Sequence, residues 1–267
     1  MKKIFLLLVI IALSVNSFGQ DKVKSTKLEK KALRKKKIAI LVRQEEEGVI
    51  AYKKHFLAGI KLTTDGYGAF IEKGLAKSVK KSLLFQLDIT ERKHSKEDKQ
   101  AIPGTFGGSF VYGKINYFYP VKLGVQEQFL LGNKGNKNGV SISANIGGGL
   151  TLGLIRPYML AYDSAGSKIY RGLKPTNYDS ARFLLLTGTL VSGPNFGTGF
   201  NKLKVNPGAY AKAGVRFDYG KYNETLSALE VGLTGEFYSK KIPQVIFSKE
   251  NNFFFTAYIA LIFGKRK

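Results

Sequence analysis

The sequence contains no cysteine, no tryptophan and only two histidines among its 267 residues. The absence of cysteine excludes disulfides, thiolate metal sites, thiol nucleophiles and a lipid-modified N-terminal cysteine. A secreted chain without such covalent links needs another source of stability, and a closed sheet that satisfies its own backbone hydrogen bonds supplies one.

Long apolar runs are also missing beyond the N-terminus. Lys2 and Lys3, the apolar residues 4–13 and the small residues around position 18 form the pattern of a secretory signal peptide over residues 1–19. No other stretch approaches the 18 or so apolar residues of a membrane-spanning helix. The chain is therefore expected to be either soluble or a β-barrel.

Acidic residues are scarce beside basic ones, with 19 Asp and Glu against 43 Lys and Arg, a net charge of +24. In a cytosolic protein this charge would suggest nucleic acid, but the signal peptide argues against that partner. We expect the charge to face outer-membrane lipid, lipopolysaccharide phosphates or another envelope protein. The lysine-dense start of residues 20–53 predicts a basic periplasmic arm or linker.

What the sequence does contain is alternation with a period of two over residues 54–267, most clearly at the C-terminal end. One face of residues 252–263 is apolar, with Phe253, Phe255, Ala257, Ile259, Leu261 and Phe263. The other face carries Thr256, Tyr258 and Ala260. Alternation over about ten residues is typical of a strand that crosses a bilayer with one face in lipid.

The number of strands depends on which short segments are turns. Turns at Gly66 and at 147–149, with a corner at Tyr119-Pro120, give about ten strands, and all the long inserts then lie outside (92–108, 132–139, 163–204 and 240–251). The alternative, with neither glycine turn, gives about eight strands and a periplasmic 92–108 loop. Both counts are even, as expected when both chain ends are periplasmic, and we prefer ten.

Alternation alone does not say which face meets water, since a lipocalin-like soluble barrel would point its apolar face inward. The polar faces are rich in Gly, Ser, Thr, Gln and Asn, with charges of both signs that could pair across a narrow lumen. The predicted lumen charges are Lys61, Glu72, Asp88, Lys114, Lys122, Lys212, Arg216, Glu230 and Glu236. Aromatic residues gather at strand ends, as in interfacial girdles, and Phe118 and Tyr238 are among them. We therefore predict an all-β, antiparallel transmembrane β-barrel.

The proposed mature start at Gln20 and the closing strand that ends Phe263-Gly264-Lys265-Arg266-Lys267 support a resemblance at the level of class. Over residues 54–267 the chain resembles small outer-membrane β-barrel proteins of Bacteroidetes-type bacteria. The resemblance implies that the protein lies in the bacterial outer membrane after signal-peptide cleavage.

Catalytic and metal-binding patterns are weak. His94 lies in a basic loop where a nucleophile–base–acid set is not expected, and His55 opens the first strand as a rim or lumen residue. The acidic residues lack EF-hand spacing, and the glycines at 147–149 lack the helix and lysine of a phosphate loop. We predict no catalytic residue, no metal and no cofactor, so the protein is not expected to be an enzyme.

The insert at 163–204 suggests a contact surface, because it carries much apolar side chain for a loop in water, including Phe183, Leu185, Phe196 and Phe200. We predict a structural or accessory subunit of an envelope secretion or assembly complex. The alternatives are a narrow transporter or binding barrel for a small solute and, less favoured, a lipid- or peptide-modifying barrel enzyme. A barrel of about ten strands is expected to be filled by its own side chains.

Overall fold

The computed structural model describes residues 53–78, 80–101, 109–134, 139–164, 167–172, 190–195, 197–220, 225–246 and 248–266, with backbone only within 162–192. The predicted signal peptide and nearly all of the predicted basic arm lie outside the described residues. Within the described ranges, no helix is long and apolar enough to cross a bilayer.

The described residues contain eight long strands and five short ones. In chain order they are β1 (Lys54–Thr63), β2 (Gly66–Ala76), β3 (Lys81–Arg92), β4 (Lys99–Ala101), β5 (Ser109–Val111), β6 (Asn116–Gly132), β7 (Ser141–Pro157), β8 (Met159–Ser164), β9 (Ser167–Gly172), β10 (Leu190–Ser192), β11 (Lys204–Asp218), β12 (Thr225–Ile242) and β13 (Asn251–Arg266). The eight long strands close into an antiparallel barrel in the order β1-β13-β12-β11-β7-β6-β3-β2. The short strands form a β4–β5 pair and a β10-β8-β9 sheet.

The barrel has eight strands, so the preferred count of ten is wrong and the eight-strand alternative fits. The turn before Gly66 is present, between β1 and β2, but two predicted breaks are not. Residues 147–149 run through the middle of β7, and Tyr119-Pro120 runs through β6.

Close packing explains the glycines in β7. Gly149 pairs with Gly124 of β6, and a Cβ on Gly149 would lie 2.2 Å from the carbonyl oxygen of Leu123. A Cβ on Gly124 would in turn lie 2.4 Å from the hydroxyl oxygen of Tyr210. The glycines thus make room for close backbone approach and for a large lumen side chain, which is a common role of glycine within strands.

β6 continues through Pro120 because the pairing with one neighbour is interrupted there. Pro120 pairs with Gly153 of β7, whereas the pairing with β3 runs through Phe118 and Val121 and skips Pro120. Proline has no N–H to donate to a neighbouring strand. The chain therefore shows a local gap in pairing at this point and not the predicted corner.

The two ends of the barrel differ in their connections. One end, here called the long-loop end, carries the connections 93–115, 158–203 and 243–250 and the tight turn 64–65. The opposite end, the terminal end, holds the first and last barrel residues and the connections 77–80, 133–140 and 219–224. The 132–139 insert is therefore not with the other long inserts, and the 92–108 loop is not at the terminal end. Short turns are typical of the periplasmic side of outer-membrane barrels, and the terminal end is the one that carries them.

The outward face is apolar and exposed, as Ile60 (62 %), Leu150 (69 %) and Phe255 (64 %) illustrate. The inward face is polar over much of its height, with buried charged side chains on seven of the eight barrel strands. A soluble barrel would show the reverse arrangement. Exposing this much apolar surface to water costs roughly 25 cal/mol per Å², whereas in lipid it costs nothing. The fold is that of an outer-membrane β-barrel.

Two apolar clusters share the lumen with its charged groups. One reaches from the middle of the barrel towards the terminal end and contains Leu57, Phe70, Leu226, Ala228, Tyr258, Ala260 and Ile262. Towards the long-loop end lie Phe118, Ile155, Tyr238 and Ile242, with Phe254 packed against them. Phe118 and Tyr238 were expected in an interfacial girdle, but both are fully buried.

Candidate functional site

The centre of the lumen is organised around Arg216 of β11. Its two terminal nitrogens donate to the two carboxylate oxygens of Glu72 on β2, each at 2.8 Å, and its Nε donates to Glu230 Oε2 at 2.8 Å. His55 Nε2 of β1 lies 3.4 Å from Glu72 Oε1. Bidentate pairs of this kind fix geometry as well as charge, so Arg216 ties strands from opposite sides of the barrel together.

Glu230 of β12 extends this network to two further strands, β13 and β7, and to a second residue of β11. It accepts hydrogen bonds from the Tyr258 hydroxyl, the Asn145 amide and the Lys212 ammonium, each at 2.8 Å. Lys212 also donates to Gln86 Oε1 at 3.1 Å, and Gln126 donates to the same oxygen. The oxygens of the buried Glu230 carboxylate thus accept hydrogen bonds from side chains of the barrel.

A second group of charges lies nearer the long-loop end, around Glu236 of β12. Lys122 Nζ is 2.7 Å from Glu236 Oε1, the Tyr238 hydroxyl donates to Oε2 at 2.7 Å, and Arg92 donates to both oxygens at 3.1 Å. Asp88 is bonded to Lys61 and lies 3.9 Å from Lys122. This group closes the lumen between the Arg216 network and the aromatic cluster.

Arg92 also links the charges to that cluster. Its guanidinium lies over the rings of Phe254 and Phe118, 4.6 Å and 5.6 Å from the centroids, and its Nε is 2.5 Å from Asp65 Oδ2. Stacking on aromatic faces suits a planar guanidinium. Arg92 therefore lies across the lumen at this level, in contact with two aromatic rings and two carboxylates.

The structure places most of the predicted lumen charges inside the barrel. Those found there are Lys61, Glu72, Asp88, Lys122, Lys212, Arg216, Glu230 and Glu236. Lys114 is different: it lies in the turn before β6, its Nζ 2.5 Å from Glu97 Oε2 and 4.4 Å from the Tyr117 ring. Burial lowers the pKa of Lys114. The sequence prediction treats residues 112–115 as part of a strand, but these residues lie between β5 and β6. The inward position predicted for Lys114 is therefore wrong.

Sequence reasoning missed Arg92 as a lumen residue, because it was assigned to the following loop. The signal was present in the parity of β3, where Asp88, Thr90 and Arg92 all point inward. His55 likewise lies on the inward face of β1 and is buried beside Glu72.

The predicted contact residues of the insert are only partly described. Phe183, Leu185 and Phe196 lie outside the described side chains, whereas Phe200 lies in a short 3₁₀ turn, Phe200–Lys202. The Phe200 ring is half exposed, with the Arg156 guanidinium 4.7 Å from its centroid. Phe200 therefore sits beside the top of β7 at the long-loop end.

His94 belongs to a small turn at the long-loop end and not to a catalytic set. Its Nδ1 accepts the Lys96 N–H at 3.1 Å, and its own N–H donates to Glu97 Oε1 at 3.0 Å. Among the described residues, no group of three histidine or acidic side chains is arranged to hold a metal.

The His94 turn should loosen in acid. Partial burial lowers the pKa of His94 below its ordinary value of 6.5, so the turn is fully stable above about pH 6.5 and loses stability as the pH falls through the lower folded pKa. Protonation of His94 at Nδ1 would also turn this acceptor into a donor, so that it could no longer accept the Lys96 N–H. We expect the protection of the Lys96 amide proton, which is the ratio of its intrinsic exchange rate to the rate measured by NMR, to fall between pH 7.5 and 5.

The control for this prediction is His94→Asn, which keeps a hydrogen-bond acceptor that does not titrate in this range. Its Lys96 amide should follow only the intrinsic pH dependence of exchange. Identical profiles for both proteins would show that His94 does not control the turn.

No protein-family model and no curated protein sequence matches the chain. Several solved outer-membrane barrels are similar in structure. Neisserial surface protein A has 10 % identity and a TM-score of 0.37, over 80 % of this chain and 96 % of that one. The N-terminal β-barrel domain of Pseudomonas aeruginosa OprF has 11 % identity and a TM-score of 0.35, over 80 % and 99 %. Ail, the attachment invasion locus protein of Yersinia pestis, has 10 % identity and a TM-score of 0.37, over 81 % and 99 %.

Proposed function

We propose that this protein is a non-catalytic, non-conducting outer-membrane barrel that serves as a structural or accessory subunit of an envelope secretion or assembly complex. The observation that carries the proposal is the filled lumen. The buried carboxylates of Glu72, Asp88, Glu230 and Glu236 each have a cationic partner within the barrel.

Solute passage would require these contacts to open. Removing one partner of a buried ion pair typically costs about 3–5 kcal/mol, and here the pairs share partners across the lumen. The apolar clusters that share the lumen with these charges add further barriers. A transport role is therefore disfavoured, and the barrel is better suited to anchoring.

The long-loop end offers the surface for a partner. Beyond the barrel, β4 pairs with β5 and β8 pairs with β9 and β10. A separate apolar cluster of Phe110, Tyr158 and Leu160 packs there, and the Val111 N–H donates to the Tyr158 hydroxyl at 2.8 Å. Loops held on a rigid scaffold are common binding surfaces. We infer that the 163–204 insert, with Phe183, Leu185, Phe196 and Phe200, contacts another envelope protein.

The non-conducting part of the proposal is tested in planar lipid bilayers. The folded barrel should give no large, stable conductance steps, because its lumen is filled along its height. The matched variant Arg92→Ala removes the side chain held between Phe118 and Phe254, and is expected to allow at most brief openings. Steady conductance by the unmodified protein would overturn the proposal.

The partner-binding part is tested by affinity purification from gently solubilised membranes. A stoichiometric envelope protein should copurify with the full chain and be lost when residues 163–203 are deleted, while the truncated barrel still migrates as a folded species before heating. A monomeric full-length protein that is stabilised by a small solute would instead support the binding-barrel alternative.

A further inference from the structure

Four exposed lysines form an arc around the terminal end of the barrel. They are Lys54 of β1, Lys73 of β2, Lys81 of β3 and Lys265 of β13, here called the lysine arc. Each lies two residues nearer to the terminal end than an outward-facing apolar side chain; these are Phe56, Ile71, Leu83 and Phe263. The lysines therefore mark the level at which the lipid-facing surface ends.

The strand register makes the arc continuous. Phe56 pairs with Lys73 on one side and with Lys265 on the other, so these two lysines flank one exposed ring. Since neighbouring strands lie about 4.8 Å apart, their backbones are separated by roughly 10 Å. Lys77 and Lys80, in the turn between β2 and β3, are also exposed. The positive charge thus covers four of the eight strands and not the whole rim.

The described part of the terminal end offers the arc little negative charge. Asp218 is buried and already bonded to Arg266, with Lys134 Nζ at 3.5 Å. Glu127 is half-buried on β6, and no ion pair joins it to the arc within the described residues. The long-loop end differs, because its exposed lysines are interspersed with acidic residues such as Glu91, Glu97, Asp98 and Glu250.

We propose that the lysine arc binds the phosphate group of an anionic phospholipid in the periplasmic leaflet of the outer membrane. The ammonium groups lie at head-group height, and the outward apolar side chains beside them can pack against the acyl chains of the same lipid. Each lysine near an anionic membrane surface contributes favourably to such binding. The short turns at this end place it on the phospholipid side of the membrane and not on the lipopolysaccharide side. This inference goes beyond the proposed function and does not depend on any protein partner.

The test compares lipids retained by the purified, folded barrel in uncharged detergent, measured by native mass spectrometry. The probes are phosphatidylglycerol, phosphatidylcholine and lipopolysaccharide. The unmodified protein should retain phosphatidylglycerol in preference to phosphatidylcholine, less so at high salt because exposed charges are screened. Combining Lys54→Gln, Lys73→Gln, Lys81→Gln and Lys265→Gln should weaken phosphatidylglycerol binding at least about tenfold.

A control variant removes the same number of charges at the long-loop end, through Lys93→Gln, Lys204→Gln, Lys240→Gln and Lys241→Gln. It should bind phosphatidylglycerol as the unmodified protein does. If both variants lose phosphatidylglycerol binding equally, net charge alone explains the binding, and the proposal of a site at the lysine arc is wrong. The proposal also fails if the arc variant keeps phosphatidylglycerol but loses lipopolysaccharide or a copurifying acidic protein. All variants change exposed side chains, so each should still fold, as heat-dependent gel migration will verify.

Discussion

Replacing Arg216 with methionine should destabilise the folded barrel by about 3–5 kcal/mol, the usual cost of breaking a buried ion pair from one side. The side chain is almost completely buried and bonds both Glu72 and Glu230. Without it, the one described partner left beside Glu72 is His55, at 3.4 Å. The change in free energy can be measured by reversible guanidinium unfolding from phospholipid vesicles.

The double variant Arg216→Met with Glu72→Gln decides whether this cost comes from the stranded charge. It removes both members of the pair, while Glu230 retains Lys212, Tyr258 and Asn145. The double variant should therefore be clearly more stable than Arg216→Met alone. Lys241→Met, at an exposed position, should change stability by less than about 0.5 kcal/mol. If the double variant is no better than the single one, packing and not charge pairing sets the role of Arg216.

The polar interior also holds the strands of the barrel to one another. In lipid the outward side chains gain nothing from further burial, because the surroundings are as apolar as they are. Cohesion across the barrel must then come from contacts inside it. The network around Glu230 and Glu236 joins most of the strands through side chains, and the two apolar clusters add further contacts between strands.

Alternation predicted the faces of the strands well. In β13 the outward residues Phe253, Phe255, Ile259, Leu261 and Phe263 are exposed, and Thr256, Tyr258 and Ala260 are buried. The rule works because each side chain of a closed, single-layer barrel faces either lipid or lumen. The alternation is compatible with eight and with ten strands, and both counts are even. The sequence therefore allowed the eight-strand barrel as an alternative.

The strand count itself could not be settled from the sequence. Three consecutive glycines predict a turn from local chemistry, yet here they permit the close approach of β6, β7 and β11 around Tyr210. That requirement comes from residues far along the chain. Arg92 was misplaced for a related reason: its partner Glu236 lies 144 residues away, so composition alone made the end of β3 look like a polar loop.

The lipid-facing surface can be tested by depth. Ile259 lies near the middle of β13, is about half exposed and pairs with Leu62 of β1 and Val231 of β12. Ile259→Arg should destabilise the barrel in phospholipid vesicles by about 2–4 kcal/mol, the cost of a cation at the bilayer midplane. Phe263→Arg, on the same face but beside Lys265, should cost only about 0–1 kcal/mol because the charge reaches the interface. Both variants place the same cation on the lipid-facing side of the same strand, so the difference between them reports mainly the depth of the charge. Equal costs at the two positions would mean that hydrocarbon does not cover this face.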